Sequence, residues 1–324
     1  MSRLPHLSRR VAVSALGGVL LSHVSPAGAQ STVTINIGAT LSDDTTAHLY
    51  AVDAGLYRRA GLNVVLQPLA SGAAIAAAVV GGSLQIGDSS LLGIVTAHTR
   101  GIPFQYVVPG HIYRHEAPTE LLIVRKDSPI QTARDMNGKT LGVTAVKDLL
   151  STVALAWIDT NGGDSKTVKQ IEFPMAAMGE AFKAGRVDAA NLIEPILSQL
   201  LGSGDYRVLG DANNAVADRY LASAYVTTAG YATANPGIIQ RYARVMREAN
   251  QFANAHPDMT APLLSAWTHV DAATIVRGKR FFFAETLLPA DIQPVIDTAA
   301  KYKLTEKSFD AREIISPLVL NLAR

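Results

Sequence analysis

The chain has 324 residues, 48% of them apolar, and sets 29 Lys and Arg against 27 Asp and Glu, a formal net charge of +2. That length allows two ordinary domains of roughly 100–200 residues each with a sizeable core, which excludes a disordered chain. Three of the basic residues are Arg3, Arg9 and Arg10; without residues 1–29 the balance is 26 against 27, a net of −1, and no basic footprint for nucleic acid remains.

Residues 1–29 read as an export signal: a basic stretch ending in Ser8-Arg9-Arg10, an apolar run from Val11 to Leu21, and the small-residue site Ala27-Gly28-Ala29. Cleavage is expected after Ala29. The apolar run is about half of the ~20 residues a membrane-spanning helix needs, so no stable membrane insertion is expected. Beyond it, β-type runs alternate with longer amphipathic stretches, the pattern of βαβ units and a mostly parallel sheet. A strand at 33–40 precedes a helix from about Asp44. A strand at 62–69 precedes a short Ala-rich helix opened by Ser71-Gly72 and closed near Gly81-Gly82. A strand at 84–88 precedes a helix started by Ser89-Ser90. Between Ser71 and Ser90 the only ionisable side chain is Asp88, and this all-round apolarity predicts a helix packed between the sheet and a neighbour.

After "TELLIVRKDSP" (119–129) a second α/β unit is expected, with strands at 139–145, 168–173 and 187–193, helices at about 148–161, 175–184 and from Glu194, and a last strand at 206–210. "LASAYVTTAGYA" (221–232) reads as a long extended crossing, and the chain from Pro236 onward as helical. Two crossings around a central insert predict two lobes joined by a two-stranded hinge. Lobe 1 is expected over 30–123, lobe 2 over 124–224, and the return to lobe 1 over 225–324.

Parallel strands end on one edge of their sheet, so Ser71-Gly72 and Asp88-Ser89-Ser90 aim helix N-termini into one crevice. Orphan N–H groups and about half a positive charge suit an anion there. Plainer roles compete: Ser71 caps a helix; Asp88 caps the next helix or repels an anion; Asp43 and Asp44 form a first helical turn or meet an amine. Glu194, before Pro195 at the first helical position, caps or contacts a ligand. "HIYRHE" (111–116) spaces His111, His115 and Glu116 for a metal only if it is helical. Ahead of Pro118 a loop is expected instead, with His111 or Arg114 reaching a carboxylate or sulfonate, and neither metal nor cofactor is expected. No G-x-S-x-G, H-E-x-x-H, P-loop or dinucleotide fingerprint occurs, and there is no cysteine to act as nucleophile.

The stretches "GLYRRAGLNVVLQPLASGAAIAAAVVGGSLQIGDSS", "LLIVRKDSPIQTARDMNGKTLGV", "AGRVDAANLIEPILS" and "YATANPGIIQRYARVMREAN" resemble the periplasmic solute-binding proteins of ABC importers, in the nitrate, sulfonate, taurine and thiamine-pyrimidine group. The resemblance spans roughly Thr34 to Ile314. It implies an α/β two-lobe periplasmic binding protein, a type II clamp in which each lobe is a mostly parallel sheet flanked by helices. A ligand would lie between the lobes, and a monomer in the periplasm would deliver it to an ABC permease in the inner membrane. Carried over residue by residue, it implies first-lobe contacts from Thr40, Ser42, Asp43 and Asp44, from Ser71 and Gly72, from Asp88, Ser89 and Ser90, and from Gly110-His111. Second-lobe contacts fall at Thr144 to Lys147, Pro174-Met175 and Glu194, with Tyr225 at the hinge or cleft wall. Pyrimidine-synthase relatives of this group use a cysteine-rich motif that this chain lacks. The expected solute is a small organic anion or zwitterion of sulfonate, taurine or carboxylate type. The alternative is a thiamine-precursor pyrimidine or other heteroaromatic, with Tyr113 and Tyr225 as an aromatic wall.

Overall fold

The computed structural model describes residues 32–320, and the expected export signal lies outside them. The apolar runs form two five-stranded sheets. The first has the order β2 (Leu62–Pro68), β1 (Val33–Ala39), β3 (Ile86–Ser90), β12 (Ser223–Thr228) and β4 (Phe104–Pro109). The second has the order β10 (Tyr206–Gly210), β6 (Glu120–Arg125), β9 (Ala189–Ile193), β7 (Thr140–Val143) and β8 (Lys169–Glu172). Each is parallel but for one reversed strand, β12 in the first and β6 in the second. In both sheets the reversed strand is the first to arrive from the other sheet. It therefore enters at the edge where its neighbours end: Ser223 pairs with Ser90, and Glu120 with Ile193.

A third sheet joins the two crossings. In it β5 (His111–Arg114) pairs antiparallel with β11 (Arg219–Leu221) on one side and β13 (Phe282–Phe283) on the other. This corrects three expectations. "HIYR" is a strand and not a loop, because two distant segments supply its hydrogen-bond partners. The extended run from 221 stops at Thr228, where the Thr228 hydroxyl accepts the Tyr231 N–H and caps a helix over Ala229–Ala234. The segment past Pro236 is interrupted by β13. Residues 223 to 227 are buried throughout as a central strand, so the expected lobe division after 224 falls inside β12.

The helix Gly72–Val80 also departs from its expected setting. Only Ile75 and Val79 are buried. They press onto Gly87 and Gly38 of the sheet, where an added Cβ would collide with the Ile75 and Leu84 side chains respectively. The close approach fixes where the helix begins, and its Ala73, Ala76, Ala77 and Val80 line a cavity instead of a second packed layer. The first sheet's core gathers Ile35, Ile37, Leu62 and Ile86, and the second packs Ile123, Met178, Phe182 and Leu192. A third cluster sets Ile196, which follows β9, against Ala261, Leu264, Val270 and Ile275 of the C-terminal helices. Full burial of each such aliphatic side chain contributes about 1.5–3 kcal/mol. No helix among the described residues is long and apolar enough to cross a membrane.

Candidate binding cleft

The carboxyl ends of strands from both five-stranded sheets, together with the starts of β6 and β12, border one cavity of about 710 Å³. Open α/β sheets place ligands at such an edge. From the first sheet it is lined by Thr40, Ser42 and Asp44 after β1, by Ser71 and Gly72 at a helix start, and by Asp88, Ser89 and Ser90 ending β3; the third sheet adds His111 at the start of β5. From the second come Thr144, Lys147, Pro174 and Met175. Asp43, Gly110, Arg114, Glu194 and Tyr225 are not among the lining residues.

Each of these five has a structural reason to stand apart. Asp43 is fully buried and satisfied: Arg280 grips it through Nε and Nη2, the nearest contact at 2.8 Å, and the Phe281 N–H and Thr46 hydroxyl donate to it. Gly110 lies where any side chain would strike Ser223. Arg114 sits over the Phe282 ring, 4.3 Å from its centroid, and leans toward Glu116. Glu194 accepts the Ser198 N–H at 3.1 Å and its hydroxyl at 2.9 Å, so its carboxyl caps the following helix. That helix starts at Ile196, after a cis Glu194–Pro195 peptide, and Pro195 is not its first residue. Burial pushes the Glu194 carboxyl up to about 7, against the pull of the Ser198 hydrogen bonds. Tyr225 lies within β12, its hydroxyl donating to the Asp44 carbonyl at 2.8 Å.

Asp88 is equally misjudged as a cap. β3 runs on to Ser90, the next helix starts at Leu91, and no side chain caps it. Burial pushes the Asp88 carboxyl well above its ordinary value; Asp44 adds to the effect and His111 opposes it. The helix at Gly72 matches expectation locally, since the Ser71 hydroxyl accepts the Ala74 N–H at 3.3 Å. The Gly72 and Ala73 N–H groups, in the first turn, have no partner within the helix.

The polar centre of the cleft is His111. Its Nδ1 is 2.5 Å from Asp44 Oδ1 and its Nε2 is 2.9 Å from Glu120 Oε1, while its ring stacks on Phe281. Burial alone would lower the imidazole pKa, but the Asp44 and Glu120 carboxylates outweigh it and raise the value to about 10. The ring is therefore an imidazolium that donates from both nitrogens. Ser223 Oγ lies 3.1 Å from His111 Nδ1, but it donates to Asp44 Oδ1, and a ring protonated on both nitrogens cannot take its proton. His115 is half exposed and faces Asp211, and among the described residues no three His, Asp or Glu side chains are placed to hold a metal.

On the opposite wall the Thr144 hydroxyl donates to Asp148 Oδ2 at 2.6 Å, and the Ser151 N–H to Oδ1 at 2.7 Å, so Asp148 caps the helix Leu149–Thr160. Lys147 lines the cavity here with φ of 65°. The expected aromatic wall is missing: Tyr113 donates to Asp211 outside the cleft, and the rings lining it are Phe104 and His111. Sequence reasoning missed Glu120 and Ser223, which no local motif marks, and Arg280, which binds Asp43 from far along the chain.

Comparison with known proteins gives three kinds of match. Residues 42–260 match the family described as NMT1/THI5 like. A protein of Escherichia coli (strain K12) named as an aliphatic sulfonates-binding protein is 23% identical over 239 residues, covering 72% of this chain and 70% of that one. The solved alkanesulfonate-binding protein SsuA of Xanthomonas axonopodis pv. citri, bound to MOPS, superposes with a TM-score of 0.73 at 18% identity, covering 88% of this chain and 99% of that one. The periplasmic nitrate-binding protein NrtA of Synechocystis PCC 6803 does so with a TM-score of 0.73 at 14% identity, over 89% and 86% of the two chains.

Proposed function

The chain belongs to the NMT1/THI5 like family, and we propose that it is the extracytoplasmic solute-binding component of an ABC importer, which captures a small organic anion or zwitterion and delivers it to an inner-membrane permease. The observation that carries this reading is the cavity itself. A space of about 710 Å³ lies between the carboxyl edges of two separate sheets, a size and place suited to one small molecule. The strands that cross between the sheets pair only with each other and with β13, which is the geometry of a hinge. In this reading the lobes are the two five-stranded bodies, the solute seats between them, and closure buries it. The Gly72 helix start and Lys147 supply the positive potential for an anionic group. The paired His111 lacks a free nitrogen, which favours capture over catalysis. Export to the periplasm with cleavage after Ala29 belongs to the same reading.

Thermal unfolding of residues 30–324 against a panel of sulfonates, carboxylates, taurine, nitrate and pyrimidines tests the proposal. A bound solute at about 100 times its Kd adds about 2.7 kcal/mol and raises Tm by several degrees. No shift from any solute, together with no small molecule co-purifying from the periplasm, would refute it.

A further inference from the structure

Resting on that solute-binding reading, we propose that the solute carries a protonated amine or a comparable cationic N–H group, received by Asp88 and Glu120 on the buried wall of the cleft. Both residues are 2% exposed and both line the cavity, yet Asp88 Oδ1 and Glu120 Oε2 have no hydrogen-bond partner. Elsewhere the chain satisfies its buried carboxyls. Asp43 has Arg280, the Phe281 N–H and Thr46; Asp148 has Thr144 and Ser151; Glu194 has Ser198. Orphaned buried acceptors are costly. Among the described residues five other buried side-chain atoms also lack a partner, but only Asp88 and Glu120 are carboxyls and only they belong to residues that line the cavity, beside the same imidazolium.

The charge count points the same way. Asp44 and Glu120 flank a single cation, His111, and already take both of its nitrogens. Burial and the neighbouring Asp44 push the Asp88 carboxyl up, a push that a cationic group seated beside it would reverse. Among the described residues no arginine lines the cavity, and Lys147 lies on the opposite wall, on the loop after β7. A purely anionic solute would meet this acidic wall without a counter-charge. A solute with an ammonium, amidinium or guanidinium group would instead complete the two open acceptors with charge-assisted hydrogen bonds. Its anionic end would be left to the Gly72 helix start and Lys147.

Calorimetric titration of the purified exported chain with matched probes decides the matter: taurine against ethanesulfonate, and β-alanine against propionate. The amine-bearing member of at least one pair should bind at least tenfold more tightly. Asp88→Asn and Glu120→Gln should each reduce that preference at least fivefold, by weakening the amine-bearing member more than the amine-free one. The wild-type comparison stands even if a variant fails to fold. Equal or tighter binding of the amine-free members would overturn the cation pocket and leave solute binding intact. Binding of none would overturn the pocket for amino acids and aminosulfonates of this kind. Native mass spectrometry of the chain taken from the periplasm, read with the thermal panel, then judges the parent reading alone: a co-purified small molecule keeps it, and an empty chain that no solute stabilises removes it.

Discussion

His111 should make the empty protein lose stability across the mildly alkaline range. The ring is 3% exposed between Asp44 at 2.5 Å and Glu120 at 2.9 Å. Its pKa rises from 6.5 to about 10 because the two carboxylates outweigh the opposing effect of burial. A group whose folded value is raised stabilises fully below its unfolded value, so the contribution is complete below pH 6.5 and drains away as pH rises through 10. At about 1.4 kcal/mol per unit the whole window holds about 5 kcal/mol, of which about 2 kcal/mol is lost between roughly pH 7.5 and 9. Urea unfolding at those two pH values reads the loss. A nuclear magnetic resonance titration of the ring carbons reads its cause, with a midpoint expected near pH 10. The variant His111→Gln should lose about 3–5 kcal/mol at neutral pH, because it leaves two buried carboxylates without their cation. A ring that titrates near its ordinary value, or a wild-type stability flat from pH 7.5 to 9, would refute the reasoning.

Glu194→Gln should flatten a different part of the same curve. The folded value near 7 stands above the ordinary 4.5, so wild-type stability falls as pH rises from 4.5 through 7, by about 3 kcal/mol; urea midpoints at about pH 5 and 7.5 should differ less in the variant, and parallel slopes would count against the assignment. Gly87→Ala should drive a methyl group into Ile75 and Val79 and cost about 1–3 kcal/mol of overpacking. Because Ile75 seats the helix that begins at Gly72, the same variant should also weaken solute binding; a normal melting temperature with normal affinity would show that the helix is not held by this contact.

Much of the architecture was legible because it follows from local pattern. Alternating β-type and helical runs predict parallel strands, and the ends of those strands and the loops after them place Thr40, Ser71, Ser89 and Thr144 around one cavity. What failed was orientation, which neighbours in the chain do not set. Asp43 and Asp44 are adjacent, yet one is consumed by Arg280 and the other faces His111, a choice made by a turn of the backbone and by a cation far along the sequence. "HIYR" misled because it was read as a loop. As a strand it alternates, so its residues face opposite ways in turn. His111 joins the cleft, while Arg114 ends beside Phe282.

Glu120 and Ser223 show where a better signal lies. Neither belongs to a motif, and each opens an apolar run that looks like an ordinary buried strand. Both open the strand that returns the chain to a sheet after a crossing. A crossing reaches a sheet at its cleft edge, so the strand it opens must run against its neighbours, and its first residues must lie where the others have their last. Topology alone therefore puts a side chain from each such position into the cleft. Whatever polar residue stands there is committed either to the hinge-side network, as Ser223 is to Asp44, or to the solute, as the free oxygen of Glu120 is proposed to be.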